Sequence, residues 1–136
     1  MLTQVSVFAE NAKGAMQKIT SVLAENHIGI YSILTNDSGE FGTVRLLLSD
    51  PQAGLSALKD AGYLCHSGKV IAVTIEDTPG ALDRLLRDIR TINVNIKYLY
   101  VTYDRHRSVP AIVFCTSSIT EVEQSLQARG YETLQG

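Results

Sequence analysis

Apolar and polar positions follow the same changing rhythm twice along this chain. Residues 5–9 alternate, with Val5, Val7 and Ala9 on one face, and residues 70–75 place Ile71, Val73 and Ile75 the same way. The spacing then lengthens to that of a helix at Met16, Ile19, Val22 and Leu23. It does so again at Leu82, Leu85, Leu86 and Ile89, with Asp83, Arg84, Arg87 and Asp88 outward. Residues 28–35 and 43–48 predict a hairpin around the turn-forming segment 36–42. Residues 94–102 and 111–115 predict a second around the basic loop Asp104-Arg105-His106-Arg107-Ser108. Alternation along its first strand puts Tyr98 and Tyr100 on the face of Val94 and Ile96, as core or interface aromatics. Asp50 is placed to cap the next helix, with Pro51 in its first turn. Ser118-Ile119-Thr120-Glu121 reads as a capping box, with Ile119, Val122 and Leu126 inward. Gly62 and Gly130 are placed to end these helices, and short strands follow at 63–66 and 131–134.

The repetition extends to individual residues. At an offset of 66, Val7/Val73, Glu10/Glu76, Gly14/Gly80 and Ala15/Ala81 are identities, and the match continues to Ile30/Ile96. Leu58-Lys59-Asp60-Ala61-Gly62-Tyr63 matches Leu126-Gln127-Ala128-Arg129-Gly130-Tyr131 at an offset of 68, so the second copy holds two extra residues. Each copy is strand, helix, strand, strand, helix, strand. The fold class is α+β: two ferredoxin-like βαββαβ units in tandem, residues 1–67 and 68–136, with antiparallel sheets and helices on one face. Either unit alone is of marginal size. Ser67-Gly68-Lys69 is the only candidate linker and is too short to separate them, so the copies are expected to pack about a pseudo-two-fold axis. Leu46-Leu47-Leu48 is apolar on both sheet faces, which predicts an apolar neighbour for the uncovered face and a homodimer.

Composition narrows the function. Of 136 residues, 45% are hydrophobic and 19% charged, which excludes a disordered chain. A net charge of −2 gives no general attraction to nucleic acid or to an anionic membrane. No apolar run reaches membrane-spanning length, and residues 1–4 carry no basic leader. Cys65 and Cys115 lie far apart without CxxC spacing, which predicts two reduced, buried thiols in a cytoplasmic protein. His27 and His66 have no partners at metal-ligand spacing, and Arg105, His106 and Arg107 read as a solvated loop. No cofactor or metal is expected.

The candidate chemistry lies after the first strand of each copy. Glu10-Asn11-Ala12-Lys13-Gly14 and Glu76-Asp77-Thr78-Pro79-Gly80 lead into helices, with Thr78 as a good N-cap and Pro79 suited to the first turn. Gly80 leaves room beside the free backbone N–H groups of a helix N-terminus, which suits a small carboxylate. Asn11 or Asp77 could accept hydrogen bonds from an ammonium. One loop could thus hold both ends of an α-amino acid.

Asp77-Thr78-Pro79-Gly80-Ala81-Leu82 resembles the loop pattern of the ACT domain family, small ligand-sensing modules of amino-acid metabolism. Asn11-Ala12-Lys13-Gly14-Ala15-Met16 is similar, with Lys13 in place of proline. Asn95-Ile96 resembles the family's turn into strand two, and Gly29-Ile30 does so less fully. The resemblance covers nearly the whole chain and is closest to stand-alone tandem ACT proteins, relatives of acetolactate synthase regulatory subunits. It implies amino-acid binding where the first loop of one ACT unit meets strand two of a neighbour. The residues so implied are Asn11, Ala12, Gly14, Ala15 and Ile30 in copy one. In copy two they are Asp77, Thr78, Gly80, Ala81, Leu82, Asn95 and Ile96. The departures at Ala12 and Lys13 imply a looser loop in copy one.

Rival functions lack their chemistry. No phosphate-cradling glycine loop with a placed arginine and no catalytic set is evident from spacing. Residues 44–48 and 111–115 are too aliphatic for an RNA-binding sheet. A ligand-free interaction subunit shares every feature except a competent site. The sequence therefore predicts a non-catalytic regulatory protein that binds a small free amino acid and acts allosterically on a partner enzyme, with no nucleic acid or membrane partner.

Overall fold

In the computed structural model, which describes residues 1–136 except for the side chains of residues 37 and 38, the chain divides into two compact units. One comprises residues 3–68; the other comprises residues 69–136 together with residues 1–2. The first runs β1 (Leu2–Glu10) from Thr3 onward, α1 (Ala15–Glu25), β2 (Ile30–Ser38), β3 (Phe41–Leu48), α2 (Pro51–Asp60) and the start of β4 (Leu64–Thr74). The second takes the rest of β4, then α3 (Ala81–Ile92), β5 (Ile96–Asp104), β6 (Val109–Thr116) and α4 (Ile119–Ala128). Residues 67–69 lie inside β4 rather than forming a linker.

In the first unit the strands lie in the order β2-β3-β1-β4. β1 is antiparallel to β3, Val5 opposite Leu46 and Glu10 opposite Phe41. β2 is antiparallel to β3, Thr35 opposite Val44. Alternation then sends Val5, Val7, Val44, Leu46 and Leu48 to the face on which α1 and α2 pack. Ile19 and Leu23 of α1 and Leu58 of α2 are fully buried there, each worth roughly 1.5–3 kcal/mol of apolar burial. Asp50 caps α2 as expected, accepting from Ala53 N–H at 3.1 Å, with Pro51 in the first turn. Gly62, at φ +92°, ends it: Gly62 N–H donates to Lys59 O and Tyr63 N–H to Leu58 O.

The second unit repeats this in the order β4-β6-β5. Its core joins Ile71, Val73, Ile112 and Phe114 of the sheet to Leu85, Ile89, Val122 and Leu126 of the helices. The segment at 131–134 pairs with β4 through one bridge, Val73 to Thr133, supported by Thr74 N–H on Glu132 O and Leu134 N–H on Ala72 O. That is less than the full strand expected. On α3, Asp83 and Arg87 pair outward at 3.0 Å, but Asp88 is half-buried. It accepts a hydrogen bond from Tyr131 Oη and lies 3.4 Å from Arg129.

Three further expectations change. Ser118 precedes α4 in the left-handed region, φ 52° and ψ 46°, and makes no side-chain cap bond. A capping side chain needs an extended residue to aim its oxygen at the second or third N–H. The register of β5 on β6 shifts between Ile96 and Tyr98, and this bulge reverses the alternation. Val94, Ile96 and Leu99 pack on the helix side, whereas Tyr98 and Tyr100 share the face of Cys115 and Val113, stacked on each other. Finally, Cys65 is buried but Cys115 only half so; both are free thiols, and burial pushes the Cys65 thiol up, partly offset by Lys59.

Candidate functional site

The two loops that leave the first strand of each unit share one backbone geometry. Ala15 N–H donates to Ala12 O at 3.1 Å, and Ala81 N–H donates to Thr78 O at 3.2 Å. Gly14 lies at φ 83°, ψ −1° and Gly80 at φ 89°, ψ −10°. With negative φ at Lys13 and Pro79, each is a type II turn with glycine third. Pro79 therefore serves the turn, and Thr78 is its first residue rather than the N-cap of α3. Gly80 occupies the N-cap position, as Gly14 does for α1, and neither N-terminus is closed by a side chain. Backbone N–H groups of the first helical turn are thus left to solvent or a ligand at both places.

Strand register decides what lies beside each loop. Because β1 and β2 both run antiparallel to β3, the end of β1 stands level with the end of β2. A cavity of about 150 Å³ forms there, lined by Asn11, Ala12, Ala15 and Met16 with Thr35, Asn36 and Thr43. Asn11 ties the loop to the neighbouring hairpin, its N–H donating to Glu40 O at 2.8 Å and its Nδ2 to Gly39 O at 3.0 Å. Ile30 lies elsewhere, opposite Leu48 at the far end of β2, about 20 Å from Asn36 at the rise of a strand. In the second unit, Ile75 N–H donates to Pro110 O beside the loop, while Ile96 is opposite Thr116 at the other end. Asn95 immediately precedes it. Within one unit, then, the loop residues and Ile30, or Asn95 and Ile96, do not form a common site. Thr35 and Asn36 were missed because their nearness to Asn11 depends on the sheet register, which no local motif carries.

Asp77, Thr78 and Gly80 are exposed, and Ala81 and Leu82 half-buried. The Asp77 side chain makes no hydrogen bond or ion pair among the described residues. Ala81 lines a second cavity, of about 430 Å³, with Glu76, Arg84, Arg107, Tyr131 and Glu132 among its walls. There Arg107 pairs with Glu132 and lies 3.8 Å from the buried Asp104, whose carboxylate also accepts from His106 N–H. Burial pushes the Tyr131 phenol up to about 12, helped by its hydrogen bond to Asp88 and by that carboxylate's charge. No group of three His, Cys, Asp or Glu close enough to hold a metal occurs among the described residues. No helix among them is long and apolar enough to cross a membrane.

The family model for the ACT domain pair matches residues 1–126, and the chain belongs to that family. Protein BT0572 from Bacteroides thetaiotaomicron is 27% identical, with a TM-score of 0.90 over 98% of this chain and 91% of that one. The ligand-free regulatory subunit of aspartate kinase from Thermus thermophilus is 14% identical, with a TM-score of 0.67 over 93% and 91%. Aspartokinase III of E. coli, solved in complex with lysine and aspartate, is 13% identical, with a TM-score of 0.53 over 94% of this chain and 31% of that chain. No curated protein matches the sequence. At such identities the two kinase structures establish the shared fold.

Proposed function

We propose that this ACT domain pair is a non-catalytic regulatory protein that binds a free α-amino acid at its type II turns and signals occupancy to an enzyme of amino-acid metabolism. The observation that carries this is the pair of helix N-termini without side-chain caps, each behind a glycine turn in a family of ACT pairs. A carboxylate accepts from the exposed N–H groups of α1 or α3, stabilised by the helix dipole. Asn11 or Asp77 takes the ammonium. Ala12, Gly14 and Ala15, or Thr78, Gly80, Ala81 and Leu82, shape the backbone side of the site. Ile30, Asn95 and Ile96, each remote from the turn of its own unit, complete the site of a second ACT unit, and assembly into a homodimer serves that end. Ligand favours one arrangement of units over another, and a partner reads the shift. The protein works in the cytoplasm.

Thermal unfolding with each proteinogenic amino acid at millimolar concentration tests this, lysine and aspartate included. The expected result is a higher melting temperature with at least one, since a ligand specific to the folded state contributes about 2.7 kcal/mol at a hundredfold excess over Kd. No shift with any of them overturns the reading in favour of a ligand-free interaction subunit.

A further inference from the structure

In the first unit a groove of about 370 Å³ opens where β1 ends, α1 begins and α2 gives way to β4. Its apolar wall is Phe8, Phe41, Tyr63 and Leu64. Phe8 and Phe41 stack with centroids 5.1 Å apart and planes 16° from parallel. They nevertheless remain 47% and 40% exposed, and Leu64 is 75% exposed. Glu10, Lys13 and Lys18 also line the groove, and their side chains make no hydrogen bond or ion pair among the described residues.

The second unit supplies an internal comparison. Its 430 Å³ cavity stands at the positions related by the repeat: Thr74 for Phe8, Arg84 for Lys18, Tyr131 for Tyr63 and Glu132 for Leu64. There Arg107 spends its charge on Glu132 and Asp104. The two copies have diverged at one place. One groove spans an internal ion pair, Arg107 with Glu132, beside Glu76 and Arg84, whereas the other sets stacked rings beside Glu10, Lys13 and Lys18 and holds no such pair.

Two lysines against one carboxylate leave that groove a net positive charge. Its volume falls in the range of about 300–1,000 Å³ typical of small-molecule sites, which combine apolar walls with a few orienting polar groups. We propose that this groove binds a small aryl or alkyl monocarboxylate lacking an ammonium group. Lys13 and Lys18 grip the carboxylate, and Phe8, Phe41 and Leu64 cover the apolar body. Glu10 sits where it favours a partner without a second anionic group. The groove adjoins the cavity at Asn11, Thr35 and Asn36, sharing Ala9, Glu10, Ala12 and Ala15 with it, but its rings and lysines lie outside that cavity, so shifts at Phe8, Phe41 and Leu64 distinguish it from a ligand at Thr35 and Asn36.

The test is titration of the isotope-labelled full chain with 3-phenylpropionate, followed by amide chemical shifts. Saturable shifts centred on Phe8, Phe41, Tyr63 and Leu64 are expected. The double variant Lys13→Gln/Lys18→Gln should weaken affinity at least tenfold at an unchanged melting temperature. Leu64→Ser, at a side chain that supports no core, should weaken it several-fold. Arg84→Gln in the other groove should leave it unchanged, and L-phenylalanine should bind more weakly. No saturable shift, shifts centred on Thr35 and Asn36, undiminished binding by the lysine variant, or phenylalanine binding as tightly would overturn the proposal.

Discussion

Gly14 and Gly80 sit at φ +83° and +89°, and a Cβ built on either meets no atom within 4 Å. What the positions demand is backbone freedom, not space. Replacing either with alanine should cost about 1–2 kcal/mol in denaturant unfolding, the penalty of a left-handed L-residue. Valine should cost more, so Gly80→Val lowers stability along with any ligand affinity. Gly80 was legible at the entry to the helix, but Thr78 and Pro79 were misassigned to the N-cap and first helical turn, because threonine suits either the start of a turn or an N-cap and proline suits either the second turn position or a first helical turn. Tyr131 carries a pH-dependent prediction. Its phenol is held up to about 12 against an ordinary value of 10. The resulting stabilisation is fully present below pH 10 and is lost as pH rises through about 12. Phenolate absorbance should show one late step that Tyr131→Phe abolishes, and the stability gap between the two proteins should narrow over that window.

At the scale of elements, periodicity marked α1 and α3, because burying one face imposes a strict spacing, while cap residues and turn clusters marked α2, α4 and the hairpins. It failed where a single residue breaks the spacing. The bulge at 96–98 turned Tyr98 and Tyr100 away from Ile96, and no residue type there announces it. Nor did Ser67-Gly68-Lys69 announce that strand pairing would carry β4 through it, since small polar residues suit either an exposed strand or a link. Ser118 makes the clearest test. Read as a capping box, Ser118→Gly should destabilise α4. Held at φ 52° without a side-chain cap bond, it should instead stabilise by a few tenths to about 1 kcal/mol, by relieving left-handed strain. Chemical unfolding of the variant against the parent chain decides the sign.

Across the whole molecule the duplication was the strongest signal, since two copies related by offsets of 66 and 68 admit few folds. The resemblance to the ACT loop pattern implied that copy one, with Ala12 and with lysine for proline at 13, holds the looser loop. The structure gives both loops the same turn and the same Ala–Ala hydrogen bond or its threonine counterpart, so backbone geometry does not rank them. Side chains do. Asn11 Nδ2 is committed to Gly39 O, holding loop to hairpin, whereas the exposed Asp77 carboxylate has no hydrogen-bond or ion-pair partner among the described residues. Asn11→Ala should therefore cost about 1 kcal/mol of stability, the worth of one hydrogen bond. Its effect on amino-acid affinity should be the smaller of the two. Asp77→Ala should change stability by less than about 0.5 kcal/mol, as exposed substitutions do, and weaken amino-acid binding about tenfold, the loss of one charge-assisted hydrogen bond. Calorimetric titration of both variants, set beside their unfolding free energies, makes the comparison. If Asn11→Ala abolishes binding at unchanged stability while Asp77→Ala binds normally, the first loop is the principal site and the ranking is reversed.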